Sequence, residues 1–462
     1  MQENPLPVSD HPKLTSTLII SSLIAALGGL LFGFDTAVIS GANDQLKNQF
    51  QLNEKELGFT VAIAMLGTII GSIGAGRPSN IWGRKVVLLV MAFFYFISAL
   101  GCALAWDWYS LLFFRLLGGV AVGGASVVSP LYITEISPAY YRGRLVGIQQ
   151  FNIVLGILLA FLSNYLIGLQ SLGKEEWRWM LGVQMIPSIL FFIFLFPIPE
   201  SPRWLVMKNR LSDAKDVLTR IGVHSEKIET ELEAIQKSLG NSSQDHHQSV
   251  LRWVYQKPLF LALMLAMFNQ LSGINAVLYY APTIFEKAGA GKDSSLLQAV
   301  AIGSINLLFT LLAMLVIDHL GRKKLMIIGS IGYITSLITT AGAFYWYRDG
   351  FTTFGSSLVL ISLLVFIASH AVGQGAIIWV YIGEVFPNKV RAQGQSFGNS
   401  VHWIMATIIT FIFPSFASYS PYLAFSFFAL MMVFQLIWTL VLMPETKGIP
   451  LEQLQKHLGV DQ

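Results

Sequence analysis

The stretch that decides the fold is EISPAYYRG, residues 135–143, because it recurs 249 residues later as EVFPNKVRA, residues 384–392. Both stretches place a Pro three residues and an Arg seven residues after the first Glu. Two further motif pairs follow in the same order, NIWGRK with DHLGRK and PESP with PETK. The second half of the chain therefore repeats the first.

On either side of these motifs the chain is apolar almost throughout. Its 462 residues are 54% hydrophobic and 12% charged, whereas about a quarter of a typical soluble domain is charged. The mean hydropathy is +0.60. Since a helix crosses the hydrocarbon core of a bilayer with roughly 20 apolar residues, this composition excludes a soluble enzyme and predicts an integral membrane protein.

The apolar runs divide into twelve predicted membrane-spanning helices, six before and six after a long polar segment. The predicted spans are 17–41, 57–76, 86–105, 110–133, 145–168, 179–197, 258–285, 296–317, 325–347, 356–382, 393–417 and 421–443. We therefore predict an all-α membrane protein of two pseudo-symmetric six-helix bundles. The first span follows a polar stretch and lacks a cleavage site, so we expect it to be a retained helix and not a signal peptide.

The predicted domains follow from these spans: a tail at 1–16, bundles at 17–197 and 258–443, a linker at 198–257 and a tail at 444–462. The charged, alternating linker is expected to form short amphipathic helices. Lys and Arg are retained on the cytoplasmic side of a membrane, and the loops rich in them all lie on one side of this topology. The linker and both termini are therefore predicted to be cytoplasmic, in a multi-pass protein of the cell (inner) membrane.

Two six-helix halves in the same orientation are typical of carriers whose solute site lies between halves that rock against each other. Charged residues of the repeated motifs can pair across the inner face and near helix ends, and such pairs would break when the inside opens. We expect this gating role for Arg84, Glu135, Arg142, Glu200, Arg322, Glu384, Arg391 and Glu445. The alternative for any one basic residue is headgroup anchoring and topology signalling.

Two residues that carry a full charge at neutral pH, Asp35 and Arg115, lie inside predicted spans, where charges are rare and usually functional. Asp35 is roughly 27 Å along the first span and Arg115 roughly 9 Å into the fourth, which descends from the opposite side, at 1.5 Å per residue. Their depths match, so the two can pair. Asp35 loses its charge on protonation and is the natural proton carrier; the alternative is a permanent ion pair that locks the two helices together.

The seventh span contains amides and aromatics in the sequence FNQLSGINAVLYYAP, among them Asn269, Gln270, Asn275 and Tyr280. Ser272 and Gly273 allow local unwinding, which is tolerated at membrane depth where the backbone lines a cavity. Carboxamides supply donors and acceptors together, and an aromatic face can cover the apolar side of a sugar ring. The alternative is hydrogen bonding between helices.

Other polar or aromatic residues inside spans extend this candidate site. They are Gln150 in span five, Asn306 in span eight, Trp379 in span ten and His402 in span eleven. His402 has three possible roles: a contact to the ligand, a second titrating group, or a hydrogen-bonded packing residue.

Several kinds of site are missing from the sequence. There is no phosphate-binding GxxxxGK[ST] loop, no metal-ligand spacing and no nucleophile elbow, and the single cysteine, Cys102, cannot form an internal disulfide. We therefore expect neither an enzyme nor an ATP-driven pump, and no metal or cofactor.

Taken together, the motifs resemble those of the sugar porter family of the major facilitator superfamily, from about residue 17 to 450. The stretches that carry the resemblance are GRPSNIWGRK (76–85), PLYITEISPAYYRGR (130–144), PESPRWL (199–205), NQLSGINAVLYYAP (269–282), DHLGRKK (318–324), EVFPNKVR (384–391) and PETKG (444–448). The resemblance implies the major facilitator fold. It departs at His402, where relatives carry Asn or Gln, and at Gln374 and Gly375, where they carry Gly-Pro.

The resemblance also implies roles for residues. The family's sugar-binding positions match Gln150, Gln270, Asn275, Asn306 and Trp379, with Asn269 in place of another Gln. Its proton-coupled members carry an acid similar to Asp35 and an Arg similar to Arg115, whereas facilitators lack the acid. The expected partners are a monosaccharide, protons and the lipid bilayer, with no nucleic acid, for a protein that functions as a monomer.

The prediction is thus a secondary active transporter that imports a monosaccharide by proton symport and alternating access. A hexose such as glucose is favoured over a pentose because the apolar Ile157 and Leu158 follow Gln150 in span five. The first alternative is a facilitative uniporter of the same fold, in which Asp35 and Arg115 form a structural pair. The second is a nutrient sensor that binds sugar without moving it, which the short termini disfavour.

Overall fold

The computed structural model describes residues 14–138, 140–242, 249–387, 389–449, 454 and 458–460, and these ranges contain helices and no β-strand. Most of the two predicted tails, 1–16 and 444–462, lies outside the described residues. Part of the predicted linker, 243–248, lies outside them as well.

Twelve helical segments in these ranges are long and apolar enough to cross a membrane, which confirms the predicted number. In chain order, spans one to twelve are Ser16–Gly41, Glu54–Gly74, Arg84–Ala103, Trp108–Ile136, Arg142–Gly168, Gly173–Phe194, Trp253–Lys287, Lys292–Ile317, Arg322–Trp346, Thr353–Val385, Arg391–Tyr419 and Pro421–Val441. Short helices connect them at Asn43–Gln49, Gly76–Trp82, Pro202–Met207, Leu211–Arg220 and Ile228–Ser242. The last three lie between spans six and seven, in the predicted linker.

Polar caps determine where several spans begin. Asn53 forms a capping box with Glu56 at the start of span two, and Asp107 forms one with Ser110 at the start of span four. Each cap satisfies backbone N–H groups that have no partner inside the helix. Because both caps lie in loops on the same side, they fix the level at which these parallel neighbours enter the apolar layer.

Small residues let helix backbones touch within the first bundle. A Cβ added to Gly119 would lie 1.9 Å from the carbonyl oxygen of Ala64, and one added to Gly123 would lie 2.1 Å from that of Thr68. Spans two and four are therefore in direct backbone contact, the arrangement that small residues make possible in membranes.

The two bundles meet along two equivalent pairs of spans. Span two packs against span eleven, where a Cβ on Gly58 would lie 2.1 Å from the carbonyl oxygen of Phe411. Span five packs against span eight, where Gly303 faces Leu158. Spans one and seven approach each other at one end of the molecule, where Asn43 Nδ2 donates a 2.8 Å hydrogen bond to the carbonyl oxygen of Tyr279.

Two spans of the second bundle are interrupted. Span seven consists of helices Gln256–Leu271 and Ile274–Lys287, and Gly273 between them has a left-handed φ of +85°. This confirms the unwinding predicted from Ser272 and Gly273. Span ten contains a π-helical turn, Ala371–Gly375, in which Gly373 leaves helical geometry with φ −87° and ψ −106°.

Candidate functional site

The break in span seven gathers the carboxamides that the sequence analysis singled out. Gln270 Nε2 donates to Asn269 Oδ1 over 2.8 Å, and Asn275 Nδ2 donates to Gln270 Oε1 over 2.8 Å. In a regular helix residues 270 and 275 would point in different directions. The left-handed Gly273 between them brings their amides together.

His402 and Trp379 complete this cluster from spans eleven and ten. The two ring nitrogens of His402 lie 3.2 and 3.3 Å from Gln270 Nε2. Because that amide nitrogen can only donate, a nitrogen of His402 that bonds to it must be an unprotonated acceptor. The ring of Trp379 lies 5.1 Å from that of His402, centroid to centroid, and remains 41% exposed.

The cluster is in contact with the first bundle. Trp403 packs edge-on against His402 at 5.3 Å, and on its other side lies 5.4 Å from the ring of Phe32 in span one. Amide donors, amide acceptors and an accessible aromatic ring therefore lie together where the two bundles meet. This is the set of groups that binds a small, uncharged, polyhydroxylated molecule.

Three predicted site residues lie apart from this hydrogen-bonded cluster. Tyr280 is buried and its hydroxyl donates 3.1 Å to the carbonyl oxygen of Thr410, so it ties span seven to span eleven. Gln150 is half-buried in span five, and Asn306 is 5% exposed in span eight. Gln150 and Asn306 thus belong to spans five and eight, which pack against each other.

The predicted acid and base form a buried ion pair. Arg115 Nη1 lies 2.9 Å from Asp35 Oδ1, and the two residues are 3% and 7% exposed. Gln184 Nε2 of span six is 3.4 Å from the same carboxylate oxygen. The matching depths inferred from the sequence therefore correspond to direct contact between the side chains.

Arg115 makes fewer bonds than its guanidinium allows. Its Nε and Nη2 atoms are buried and have no hydrogen-bond partner among the described residues. Leaving buried donors unsatisfied is costly unless the arrangement serves another purpose. Arg115 is thus held to Asp35 by a single 2.9 Å hydrogen bond, a contact that protonation of the carboxylate would weaken.

The end of the bundles opposite to the Asn43–Tyr279 contact carries many charges, and we call it the charged end. In the first half, the charged residues at this end form a hydrogen-bonded ionic network. Arg84 binds Glu135 through two parallel hydrogen bonds of 2.8 Å. Glu200 accepts the backbone N–H groups of Arg84 and Lys85 at the first turn of span three. Ser201 Oγ donates to Glu135 over 2.5 Å and joins the two carboxylates.

The second half repeats this network in the matching residues. Arg322 Nη2 donates to Glu384 over 2.8 Å, and Thr446 Oγ1 donates to the same carboxylate over 2.6 Å. Glu445 accepts the backbone N–H groups of Arg322 and Lys323 at the first turn of span nine. The internal repeat therefore encodes the same construction in both bundles.

The two capping carboxylates differ in their electrostatics. Burial raises the pKa of Glu200, despite the backbone N–H groups that bond to it. Burial also acts to raise the pKa of Glu445, but four backbone N–H donors outweigh it and lower this pKa. The ionised form of Glu445 is therefore more strongly stabilised by its surroundings than the ionised form of Glu200.

The ion pairs of the charged end join residues of the same half, near helix ends. Arg84 pairs with Glu135 and Arg322 with Glu384, each within its own half. Arg142 and Arg391 donate to backbone carbonyls at the turn before their own helices, over 3.5 and 3.4 Å. The reason is geometric: each Glu sits at the end of a span beside the first turn of a neighbouring span in the same bundle.

The sequence analysis missed Gln184 and a buried network in span ten. Gln184 lies inside a span, and the rule applied to the other amides would have found it. Tyr333 bonds to His370 and to Gln374, and Gln374 bonds in turn to Gln435. These residues belong to three different helices, and their contact depends on how the helices pack, which a single sequence does not show.

The chain is similar to known carriers over nearly its whole length. Residues 21–458 match the family model described as "Sugar (and other) transporter". The chain is 35% identical to the D-xylose-proton symporter of Escherichia coli (strain K12), covering 96% of both chains. It is 34% identical to the glucose transport protein of Synechocystis, covering 98% of this chain and all of that protein.

Solved structures agree with this similarity. The inward-open conformation of the xylose transporter XylE from E. coli matches with a TM-score of 0.82 and 34% identity, over 94% of this chain and 98% of that chain. The same proton:xylose symporter bound to 6-bromo-6-deoxy-D-glucose, described as a major facilitator superfamily protein, matches with a TM-score of 0.76 and 33% identity, over 96% and 99% of the chains. The predicted major facilitator fold is thereby confirmed.

Proposed function

The chain belongs to the sugar transporter family, and from this premise we propose that it imports a monosaccharide together with protons by alternating access of its two bundles. It is a carrier and not an enzyme. The observation that carries the proposal is the amide and aromatic cluster at the break in span seven, built from Asn269, Gln270, Asn275, Trp379 and His402.

In this proposal the cluster binds the sugar. The amides of Gln270 and Asn275 exchange hydrogen bonds with ring hydroxyls, and the exposed face of Trp379 covers the apolar side of the ring. Gln150 and Asn306 contribute from spans five and eight once the bundles close around the ligand. Both a pentose and a hexose fit such a set, as the names of the relatives illustrate, and a glucose-like hexose is favoured.

Asp35 and Arg115 couple the sugar to the proton. When Asp35 is ionised, its carboxylate is held by Arg115 and the two helices that bear them are linked. Protonation removes the charge from Asp35 and loosens that link, so the proton biases the equilibrium between the two arrangements of the bundles. Gln184 Nε2, 3.4 Å from Asp35 Oδ1, donates a second hydrogen bond to the ionised carboxylate.

We further propose that the charged end faces the cytoplasm, so that the tails and the linker 198–257 lie inside. The support is the concentration of Lys and Arg in the loops of that end. The hydrogen bond from Asn43 to Tyr279 and the 2.7 Å ion pair between Lys292 and Glu176 then join the two bundles on the outside. This arrangement corresponds to an inward-facing carrier, in agreement with the similarity to inward-open XylE. It is proposed to function as a monomer in the lipid bilayer.

The test is sugar uptake into proteoliposomes with and without an imposed pH gradient. A panel of radiolabelled pentoses and hexoses should include one sugar that accumulates above its external concentration only when the outside is more acidic. Uptake that equilibrates but never accumulates would instead favour the facilitative uniporter. If the protein binds a monosaccharide but none enters the proteoliposomes, the result would favour the nutrient sensor.

A further inference from the structure

The π-helical turn of span ten is surrounded by a continuous chain of buried polar side chains. Tyr333 Oη lies 2.5 Å from His370 Nδ1 and 3.2 Å from Gln374 Oε1. Gln374 Nε2 donates to Gln435 Oε1 over 2.5 Å, and Gln435 Nε2 donates to Ser330 Oγ over 3.1 Å. Tyr333, Gln374, Gln435 and Ser330 are all 0% exposed.

These hydrogen bonds form one consistent series when His370 carries its proton on Nδ1. Ser330 donates to a backbone carbonyl, so its oxygen accepts from Gln435, whose own carbonyl accepts from Gln374. Tyr333 has one hydrogen, which goes to Gln374, so its oxygen accepts from His370 Nδ1. Each member therefore depends on the next, and bonds in such a chain strengthen one another in a medium of low dielectric constant.

These hydrogen-bonded side chains join three helices at the π-turn, where span ten is irregular. Tyr333 and Ser330 belong to span nine, His370 and Gln374 to span ten, and Gln435 to span twelve. π-Turns are rare and are frequently found at functional sites. A Cβ added to Gly329 would lie 2.9 Å from Gly373 Cα, so the backbone of span nine also touches the turn.

The turn leads directly into the ligand cluster. Trp379 lies four residues, about one helical turn, beyond Gly375, where the π-turn ends. Its ring contacts His402, which in turn contacts Gln270. The direction in which Trp379 leaves span ten is therefore set by the geometry of the π-turn.

We propose that Tyr333, Gln374 and Gln435 are positioning residues for sugar binding. Their hydrogen-bonded chain holds the π-turn, and the π-turn holds the Trp379 ring against His402 at the site. The inference rests on the proposed function, and adds to it three residues that do not touch the sugar. The relevant sugar is the one that the uptake panel identifies.

The test compares single and double substitutions. Gln374→Leu and Gln435→Leu each leave a buried amide without its partner, whereas the double variant removes both amides and restores an apolar contact. Thermal stability should therefore fall in each single variant and recover in the double variant. If the residues position Trp379, both single variants and the double variant should have a half-saturation constant for sugar about tenfold higher than the wild type. This change is equivalent to about 1.4 kcal/mol of binding free energy. The maximal exchange rate should be unchanged.

Tyr333→Phe removes one hydroxyl with little change in shape. It therefore tests the proposal even if the leucine variants misfold. It should raise the half-saturation constant in the same direction. The matched control is Thr340→Val, which breaks the 2.8 Å hydrogen bond to Ser362, also between spans nine and ten but away from the π-turn. This control should leave sugar affinity unchanged.

The inference is overturned if the wild-type protein binds sugar and the double variant regains both wild-type affinity and wild-type stability. The hydrogen-bonded side chains would then only stabilise the fold. It is also overturned if Thr340→Val weakens sugar binding as much as Tyr333→Phe does. A wild-type protein that binds no monosaccharide would overturn the proposed function, and with it this inference.

Discussion

Asp35 and Arg115, 80 positions apart in the sequence, meet inside the first bundle with 2.9 Å between carboxylate and guanidinium. Neither residue is near the amide cluster of span seven in sequence, and both belong to the bundle that lacks that cluster. In the proposed function the proton therefore binds in the first half, and most of the sugar-binding residues belong to the second. Coupling between them must pass through the contact of the two bundles, where Phe32 meets Trp403.

Replacing Asp35 by Asn should abolish uphill sugar accumulation while exchange of sugar across the membrane continues. The amide preserves size but cannot gain or lose the coupled proton. Accumulation and counterflow in proteoliposomes measure the two activities separately. Asp107→Asn is the control, because Asn caps a helix as well as Asp does, and it should accumulate sugar normally. An Asp35→Asn variant that still concentrates sugar would exclude Asp35 as the proton site.

Replacing Arg115 by Met should destabilise the protein by about 3–5 kcal/mol, because it leaves a buried carboxylate without its partner. The double variant Arg115→Met with Asp35→Asn removes both charges and should recover most of that loss. Thermal unfolding in detergent measures the difference. Equal stability of the single and double variants would mean that the unpaired carboxylate of Asp35 does not destabilise the protein.

Replacing Gly83 or Gly321 by Ala should destabilise the charged end. These glycines have φ of +106° and +88°, a backbone region that costs other residues about 1–3 kcal/mol. An added Cβ would also lie 2.2 Å from Glu200 Oε2 or 2.7 Å from Glu445 Oε2. Gly76→Ala is the control: no atom lies within 4 Å of its Cβ position, and its stability should match the wild type.

The two capping carboxylates should respond oppositely to pH. The pKa of Glu445 is lowered by its backbone donors, so its stabilisation is present above the unfolded pKa of about 4.3 and is lost as the pH falls through the folded pKa. The pKa of Glu200 is raised by burial, so its ionisation reduces stability as the pH rises. Glu445→Gln should therefore lower the melting temperature at pH 7 more than Glu200→Gln does, and the loss should shrink towards pH 4.

Substitutions of His402 separate its three possible roles. His402→Gln keeps an acceptor for Gln270 Nε2, so sugar uptake and accumulation should persist with affinity within about threefold of the wild type. His402→Leu removes the acceptor and should weaken sugar binding about tenfold. Loss of accumulation in His402→Gln with exchange intact would instead identify a second titrating group. Wild-type behaviour of both variants would leave packing as its role.

The sequence was sufficient for much of the architecture. Span number and the break at Gly273 follow from local features, namely apolar run length and a glycine beside a serine among amides. The contact between Asp35 and Arg115 followed from depth alone, because two buried opposite charges at one level have few other partners.

Other features depended on the packing of several helices. The charged motifs were expected to pair across the inner face and near helix ends, and Glu135 and Glu384 bond to arginines of their own half. A repeat fixes which residues are equivalent but not which neighbour each one meets. The π-turn of span ten was also beyond the sequence, because it depends on Tyr333 and Gln435 from two other helices.

The duplicated networks at the charged end have a consequence for turnover. Each half keeps its arginine and its two glutamates joined internally, so these ions need not separate when the bundles change their tilt. The halves can therefore move as preassembled rigid bodies. The activation barrier would then arise from hydrating and repacking the contact between the bundles, where the Lys292–Glu176 ion pair is the charged group that must separate. The turnover rate would depend on ionic strength mainly through that pair.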